Sequence, residues 1–266
     1  MKYSGLFYIN NPSTGLDTAL SYVNELVQGI ETSLQQVTRQ SPWSLSYRAY
    51  RNPVPPNPQS PSDADSKAQQ FAHTYQHMLS HTGIAADRTY IFIQPPNEPG
   101  VVASIPRQQQ DAHASMTRHQ MAALWTQRHV LRVEQGITYD GGLFTIQVGE
   151  LRATREGPQS SAVNSPGVVV CISTVVGSLP SDDNTKAGHF ETPSGHSAAA
   201  PEDQDVDFEF AQAMLKDCWR KIKGDKEFGG RAEVKETMMN AAITTSTEQE
   251  REASVRMWCE LLRMRG

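Results

Sequence analysis

Three histidines have a spacing that occurs in metal sites. His73, His77 and His81 recur every four residues, which places them on one face of either a helix or a strand. Imidazole ligands at such spacing can hold zinc. No cysteine lies near them, however, and no histidine is followed by the glutamate of a HExxH metalloprotease motif. We therefore favour a solvated polar face over a metal site, and we expect no metal and no cofactor.

A second group of residues suitable for chemistry consists of alternating carboxylates. Asp205, Asp207 and Glu209 are separated by apolar residues. On a strand, these carboxylates would share one face and could hold a divalent cation against a polyphosphate inside a tunnel-shaped barrel. In the first turns of a helix, the same acids would instead meet the positive end of the helix dipole. Phe208 belongs to the helical periodicity of the following segment, so the helix is the favoured interpretation.

Nucleophilic and phosphate-binding signatures are missing from the sequence. It contains no GxSxG nucleophile elbow and no P-loop. Cys171, Cys218 and Cys259 lie in apolar surroundings, which raise a thiol pKa and make the thiol inert. Arg132 and Arg152 are only scattered candidates for binding a polyphosphate. We expect no catalytic residues, and we favour a binding or scaffolding module over an enzyme.

The distribution of charge bears on the class of partner. The chain has 266 residues with 24 Lys and Arg against 29 Asp and Glu, a net charge of -5. Residues 177–209 hold eight acids and one base, a net -7, so the remainder carries +2. The folded part is nearly neutral, which mildly disfavours a general nucleic-acid binder because phosphate neutralisation needs a basic surface. No apolar run approaches the ~18 residues that span a bilayer, so we expect no membrane partner.

Composition predicts one domain over residues 1–266 with two mobile insertions. Residues 53–65 are rich in proline, and residues 177–207 are rich in acids and small residues. Neither segment has enough large apolar side chains to offset the entropy of ordering it. Three cysteines that lie far apart in the sequence fit a reducing compartment without a disulfide framework.

The clearest helix signal follows the N-terminal strand. Seven apolar residues recur at steps of four and three, which predicts a helix of about five turns that starts near residue 16. They are Leu16, Leu20, Val23, Val27, Ile30, Leu34 and Val37. Thr14 or Asp17 could cap its start through a side-chain oxygen.

Short apolar runs separated by turn residues predict about eight strands. Residues 139–142, Tyr-Asp-Gly-Gly, form a hairpin signal, because glycine accepts the positive φ that a primed turn needs. A helix is expected around residues 111–128, and residues 71–79 fit either helix or strand. Because closure removes exposed edges, the fold class predicted is α+β, an antiparallel β-barrel of about eight strands with flanking amphipathic helices.

The last helix is apolar on two sides. Its main apolar face consists of Val255, Trp258, Cys259 and Leu262. A second stripe, formed by Met257, Leu261 and Met264, lies on the far side. Such a helix must cover two surfaces, so we predict that the second stripe contacts a partner or a second layer of the same domain. Thr247 and Glu250 have capping-box spacing at its start, and the preceding helix should end at Gly224.

The order of these elements resembles the Mediator subunit 20 family. The resemblance is carried by the hairpin GITYDGGLFTIQVGELRA, the strand PGVVVCISTVVG, the opening KYSGLFYI and the closing MWCELLRMRG. It implies a nuclear, non-catalytic transcription coregulator in the Mediator head module, which links regulators to RNA polymerase II. It also implies a β-barrel that pairs with a sister barrel, subunit 18, with subunit 8 as a further candidate partner.

Two alternatives remain beside this resemblance. One is a tunnel-barrel, metal-dependent polyphosphate hydrolase that uses Asp205, Asp207 and Glu209. The other is a barrel that carries a small ligand in an interior cavity. Direct sequence-specific binding to nucleic acid is not expected, because a minor-groove saddle needs basic strands and apolar wedges, whereas these strands are nearly neutral.

Overall fold

The computed structural model describes residues 2–54, 71–154, 163–175, 202–230, 232–240 and 246–263. Within these ranges, nine strands form one antiparallel sheet and four α-helices pack on its two faces. The strands are β1 (Lys2–Asn10), β2 (Thr38–Arg51), β3 (Tyr75–His81), β4 (Arg88–Gln94), β5 (Val101–Pro106), β6 (Thr126–Asp140), β7 (Phe144–Thr154), β8 (Val163–Val175) and β9 (Val234–Met238). The helices are α1 (Leu16–Ser33), α2 (Gln110–His119), α3 (Glu202–Lys223) and α4 (Thr247–Arg263).

The sheet is open rather than closed into a barrel. Its strand order is β5-β4-β3-β2-β6-β7-β8-β1-β9, so β5 and β9 are edge strands that do not pair with each other. The predicted α+β class and antiparallel sheet are confirmed, whereas the predicted closed barrel is wrong. The strand count rises to nine because β9, with the sequence VKETM, is too short and too charged to stand out as a strand.

The sheet curves around α4. This helix contacts β3 and β4 near one end of the strand order and β1 and β9 at the other end. A single helix can touch both ends only if the sheet bends around it. Trp258 of α4 packs against both Trp43 and His81, with ring centroids 5.8 Å and 4.8 Å away. The helix therefore occupies the space that a closed barrel would enclose.

A second core covers the convex face of the sheet. Helices α1 and α3 pack there, and Phe7 of β1 stacks on Trp219 of α3 with 4.6 Å between ring centroids. Helix α2 covers a third, smaller cluster formed by Met78, Ile91 and Ala114. Both faces of the sheet are thus buried by helices, which fits the nearly continuous burial of β1 and β8.

The predicted apolar stripe on α1 is only partly buried. Leu16 and Leu20 are 42% and 54% exposed, whereas Ala19 and Tyr22 are buried against the sheet. The N-cap of α1 is Gly15, which has no side chain to accept from the N–H groups of the first turn, so the predicted cap at Thr14 or Asp17 is wrong. The packing angle on the convex face, rather than the apolar periodicity alone, decides which residues are covered.

Local turn and cap signals are largely confirmed. The hairpin between β6 and β7 has Gly142 at φ +74°, and α3 is followed by Gly224 at φ +52°. The segment of residues 71–79, which fitted either helix or strand, contains the start of β3. The capping box of α4 lies one residue before the predicted position: Ser246 Oγ accepts from Gln249 N–H, and Gln249 Oε1 accepts from Ser246 N–H, at 3.3 and 3.2 Å.

The two predicted insertions lie mostly outside the described residues. Residues 55–70 and 176–201 belong to undescribed stretches, so the predicted mobility of 53–65 and 177–207 stays a prediction. The backbone of residues 202–207, which was assigned to the second insertion, forms the start of α3. None of the helices in the described ranges combines the length and the apolar character that crossing a membrane requires.

Candidate partner-binding groove

The two ends of the curved sheet approach each other over α4 and leave a groove of about 480 Å³ between them. One wall comes from β4 and the β4–β5 turn, the other from the end of β9, and the floor from α4. The lining residues are Phe92, Gln94, Glu98, Pro99, Met238, Asn240, Gln249, Glu252, Ala253, Arg256, Met257 and Glu260. The groove lies in the gap between the two ends of the sheet, whose edge strands β5 and β9 do not pair.

Arg256 fixes the first wall of this groove to its floor. Its guanidinium donates hydrogen bonds to the carbonyl oxygen of Pro99 and, at 3.1 Å, to that of Gly100. The Nε atom donates to Glu252 Oε1 one helical turn earlier, at 3.2 Å. The guanidinium carbon also lies 5.0 Å from the centroid of the Phe92 ring. The planar, multidentate guanidinium thus joins α4 to β4 and to the following turn.

The backbone of the β4–β5 turn determines the shape of this wall. Asn97 and Gly100 have φ angles of +62° and +71°, a region that asparagine and glycine adopt most readily. A Cβ atom at Gly100 would lie 2.3 Å from the carbonyl oxygen of Ile93. Glycine at position 100 therefore allows the turn to fold back closely on β4, which presents the carbonyl oxygens to Arg256.

Replacing Arg256 with alanine is expected to lower the free energy of unfolding by about 1–2 kcal/mol, because several partly exposed hydrogen bonds and one cation–π contact are lost. Urea unfolding followed by circular dichroism measures the change. Arg251→Ala is the matched control, since Arg251 forms an exposed pair with Glu248 on the same helix, and such pairs contribute about 0–1 kcal/mol. Equal losses in the two variants would contradict the assigned role of Arg256.

The structure places the predicted partner stripe of α4 largely inside the domain. Met257 lines the floor of the groove but is only 3% exposed, and Leu261 is 2% exposed within the concave core. Met264 lies outside the described residues. Met257 and Leu261 thus pack against a second layer of the same domain, one of the two surfaces that the sequence analysis allowed. Their contact with a partner stays a prediction.

His77 and His81 do not lie on a solvated polar face, so the prediction is wrong for these two residues, whereas His73 is half-buried with its Nδ1 atom 2.9 Å from the carbonyl oxygen of Asn52. His77 and His81 lie on the concave side of β3 and are 0% and 1% exposed, because α4 covers them. His81 Nδ1 accepts a hydrogen bond from the backbone N–H of Gly83 at 2.9 Å. His77 Nδ1 lies 2.8 Å from the hydroxyl of Tyr47. Among the described residues, no group of three or more His, Cys, Asp or Glu side chains could hold a metal ion.

Burial keeps these imidazoles neutral. It lowers the pKa of His77 to about 4 and that of His81 to about 3, and it also lowers the pKa of His129. In addition, the positive charge of Arg263 lowers the pKa of His77, and that of Lys2 lowers the pKa of His81. These histidines therefore act as packed aromatic rings at neutral pH rather than as surface charges.

The geometry of a tunnel-shaped enzyme is not found. Asp205, Asp207 and Glu209 belong to α3, so the helical interpretation of this segment is confirmed and the strand interpretation is wrong. The concave side of the sheet is filled by α4. Arg132 and Arg152 face each other across β6 and β7, and Arg152 bonds to carboxylates there, Glu150 among them at 3.1 Å. The described residues thus supply neither the cavity nor the cation-binding face that this alternative needs.

The cysteines are inert, as the sequence predicts. All three are buried and free. Burial raises the pKa of Cys171 to about 11, that of Cys218 to about 12 and that of Cys259 well above its usual range. None of them is placed to act as a nucleophile at neutral pH.

Sequence reasoning missed the groove and its central residue. The apolar pattern of the last helix indicates no specific role for Arg256, and the short, charged sequence of β9 does not stand out as a strand. The turn of residues 97–100, Asn-Glu-Pro-Gly, was a visible signal for a tight bend. Nothing in the sequence pattern shows that this bend meets α4, because the contact joins residues more than 150 positions apart.

Comparison with known proteins identifies a family. A family model described as Med20, TATA-binding related factor (TRF) of subunit 20 of Mediator complex, matches residues 1–251. No curated protein matches the chain. Among solved structures, the chain is similar to the PH1819 protein from Pyrococcus horikoshii OT3, with a TM-score of 0.35, 10% sequence identity, and coverage of 82% of this chain and 90% of that chain. A similarity this low carries no functional argument.

Proposed function

The chain belongs to the Med20 family of Mediator subunits, and from this membership we propose that it is a non-catalytic subunit of the Mediator head module. In this role it acts as a transcription coregulator in the nucleus and bridges regulators and RNA polymerase II through protein contacts. Its chief partner is a sister subunit, Mediator subunit 18, and subunit 8 is a further candidate. The observation that carries the proposal is the family match across residues 1–251.

The chemistry of the described residues supports a role in protein contact. The buried histidines and cysteines are neutral and packed, and the concave side of the sheet holds a helix instead of a substrate cavity. The groove over α4 and the two open sheet edges provide surfaces suited to other chains. A stable contact with a sister subunit should bury at least ~800 Å² on each partner.

Co-expression with Mediator subunit 18 tests the proposed contact. Size-exclusion chromatography with light scattering is expected to give one complex with the summed mass of the two chains. The predicted contact at Met264 is tested by Met264→Asp, which should weaken co-purification while circular dichroism shows an unchanged fold. Leu261→Asp is unsuitable, because it would place a carboxylate in the core. Separate elution of the two unmodified chains would contradict the proposed pairing.

A further inference from the structure

Among the described residues, the outer edge of β9 has no partner strand, and it presents main-chain hydrogen-bonding groups beside the groove. In an antiparallel pair, residues that bond to the partner strand alternate with residues whose backbone groups point away. The N–H of Met239 donates to the carbonyl oxygen of Ser4 at 3.0 Å, so position 239 bonds to β1. By the same alternation, the backbone groups of Glu236 and Met238 point away from β1. In the described part of the chain, no strand lies on that side of β9.

The groove carries negative charge. Its lining includes three carboxylates, Glu98, Glu252 and Glu260, and one basic side chain, Arg256. The guanidinium of Arg256 is already engaged by Glu252 and by the carbonyl oxygens of the β4–β5 turn. Glu98 and Glu260 are both exposed, Glu98 on the β4–β5 turn that forms one wall and Glu260 on α4, which forms the floor. The lining is therefore complementary to a cationic ligand.

From these observations we infer that the groove binds an extended, lysine- or arginine-bearing segment of a partner protein, which adds as a strand to the free edge of β9. The main chain of the segment would pair with the outward-facing groups of Glu236 and Met238. Basic side chains at alternate positions would lie toward Glu98 and Glu260, because strand side chains alternate between two faces. Phe92, with Arg256 over its ring, forms part of the wall on the β4 side.

The other free edge is less suited to such a segment. Strand β5 ends in Pro106, which has no N–H to donate, and residues of β5 do not line the groove. Strand β9 contributes Met238 to the lining and leads directly to Asn240, which also lines it. The strand edge and the charged groove thus meet at β9. This arrangement favours a peptide ligand over a small cation, because a small cation does not need the hydrogen-bonding groups of a strand edge.

Binding of short synthetic peptides to the full chain tests this inference. Fluorescence anisotropy would measure the affinity of a fluorescein-labelled peptide that alternates lysine and valine. We expect saturable binding that weakens about tenfold in the double variant Glu98→Lys, Glu260→Lys, as the loss of two favourable charge contacts implies. The same peptide with methylated backbone nitrogens should not bind, because it cannot pair with a strand edge.

The matched control is the double variant Asp17→Lys, Asp225→Lys, which makes the same charge change at exposed residues outside the groove. Its affinity should stay within about twofold of the unmodified chain. Circular dichroism checks that both double variants are folded. Absent binding, equal binding of a glutamate–valine peptide, or retained binding of the methylated peptide would overturn the inference.

A second copy of the chain is the competing occupant of this edge. Sedimentation velocity of the unmodified chain, without peptide, distinguishes the two. A monomer that becomes peptide-bound supports the inference, whereas a dimer that peptide does not dissociate would overturn it. The inference does not depend on membership in Mediator, because the peptide experiment uses the chain alone. Its failure would leave the proposed pairing with subunit 18 untouched.

Discussion

Replacement of Trp258 by alanine is expected to lower the free energy of unfolding by about 3–5 kcal/mol, the range measured for removal of a large buried aromatic side chain. Trp258 is 2% exposed and lies at the centre of the concave core. Its ring contacts Trp43 of β2 and His81 of β3, and its helix touches both ends of the sheet. Its loss would leave a cavity at the point around which the sheet curves.

Urea unfolding followed by far-ultraviolet circular dichroism measures this effect, since fluorescence would change with the loss of the indole itself. Leu124→Ala is a suitable control, because Leu124 is 59% exposed and surface substitutions of this kind stay within about 0.5 kcal/mol. A change below about 1 kcal/mol for Trp258→Ala would show that α4 does not fill the curved sheet.

The second large effect is a loss of stability under mildly acidic conditions. In the folded chain, burial lowers the pKa of His77 to about 4 and that of His81 to about 3. In the unfolded chain, both should titrate near the ordinary value of about 6.5. Below pH 6.5, the unfolded chain therefore binds protons that the folded chain excludes, so stability falls as pH falls. From pH 7 to pH 5 we expect a loss of about 2 kcal/mol per histidine, or about 4 kcal/mol for the pair.

The pH dependence of the unfolding free energy, obtained from urea titrations between pH 7 and pH 5, tests this expectation. Histidine ring signals in nuclear magnetic resonance spectra should show that His77 and His81 remain neutral in the folded chain at pH 5. His119→Gln is the control, because it removes an exposed imidazole on α2 and leaves both buried rings in place. A flat stability profile above pH 5 would contradict the burial of the two rings.

The elements that the sequence predicts well are those with local causes. The hairpin at residues 139–142 depends on Gly142 and the end of α3 depends on Gly224, both at positive φ, so both features can be identified from a short stretch of sequence. The two-sided apolar character of α4 also predicts correctly that this helix covers two surfaces. In the structure, one curved sheet provides both surfaces, and Met257 and Leu261 are buried in the core between this sheet and α4.

Closure of the sheet could not be predicted in the same way. Whether β5 and β9 pair depends on the width of the helix that the sheet curves around. That helix is α4, with Trp258 at its centre. The spacing of His77 and His81 correctly placed them on one face. Their burial depends on α4, which is more than 160 residues later in the chain. Spacing fixes the direction of a side chain, but only the tertiary packing decides whether that face meets water.

The groove could not be predicted from the sequence for a related reason. Its walls are a turn at residues 97–100 and the short strand β9, and its floor is α4. It therefore exists only after the turn packs against a part of the chain more than 130 residues later. In the sequence, Arg256 is indistinguishable from an ordinary surface charge on a helix. In the structure, the carbonyl oxygens of Pro99 and Gly100 accept its hydrogen bonds. The membership in the Med20 family could be anticipated, because the resemblance followed the order of elements rather than any single site.

Affinity purification of the tagged full chain from nuclear extracts of cells that express it tests the central claim most directly, with the bound proteins quantified by mass spectrometry. We predict recovery of the other Mediator subunits in near-equal amounts, with subunit 18 retained longest as salt is raised. Recovery of the chain without Mediator subunits, under conditions in which another tagged Mediator subunit recovers the complex, would contradict the account.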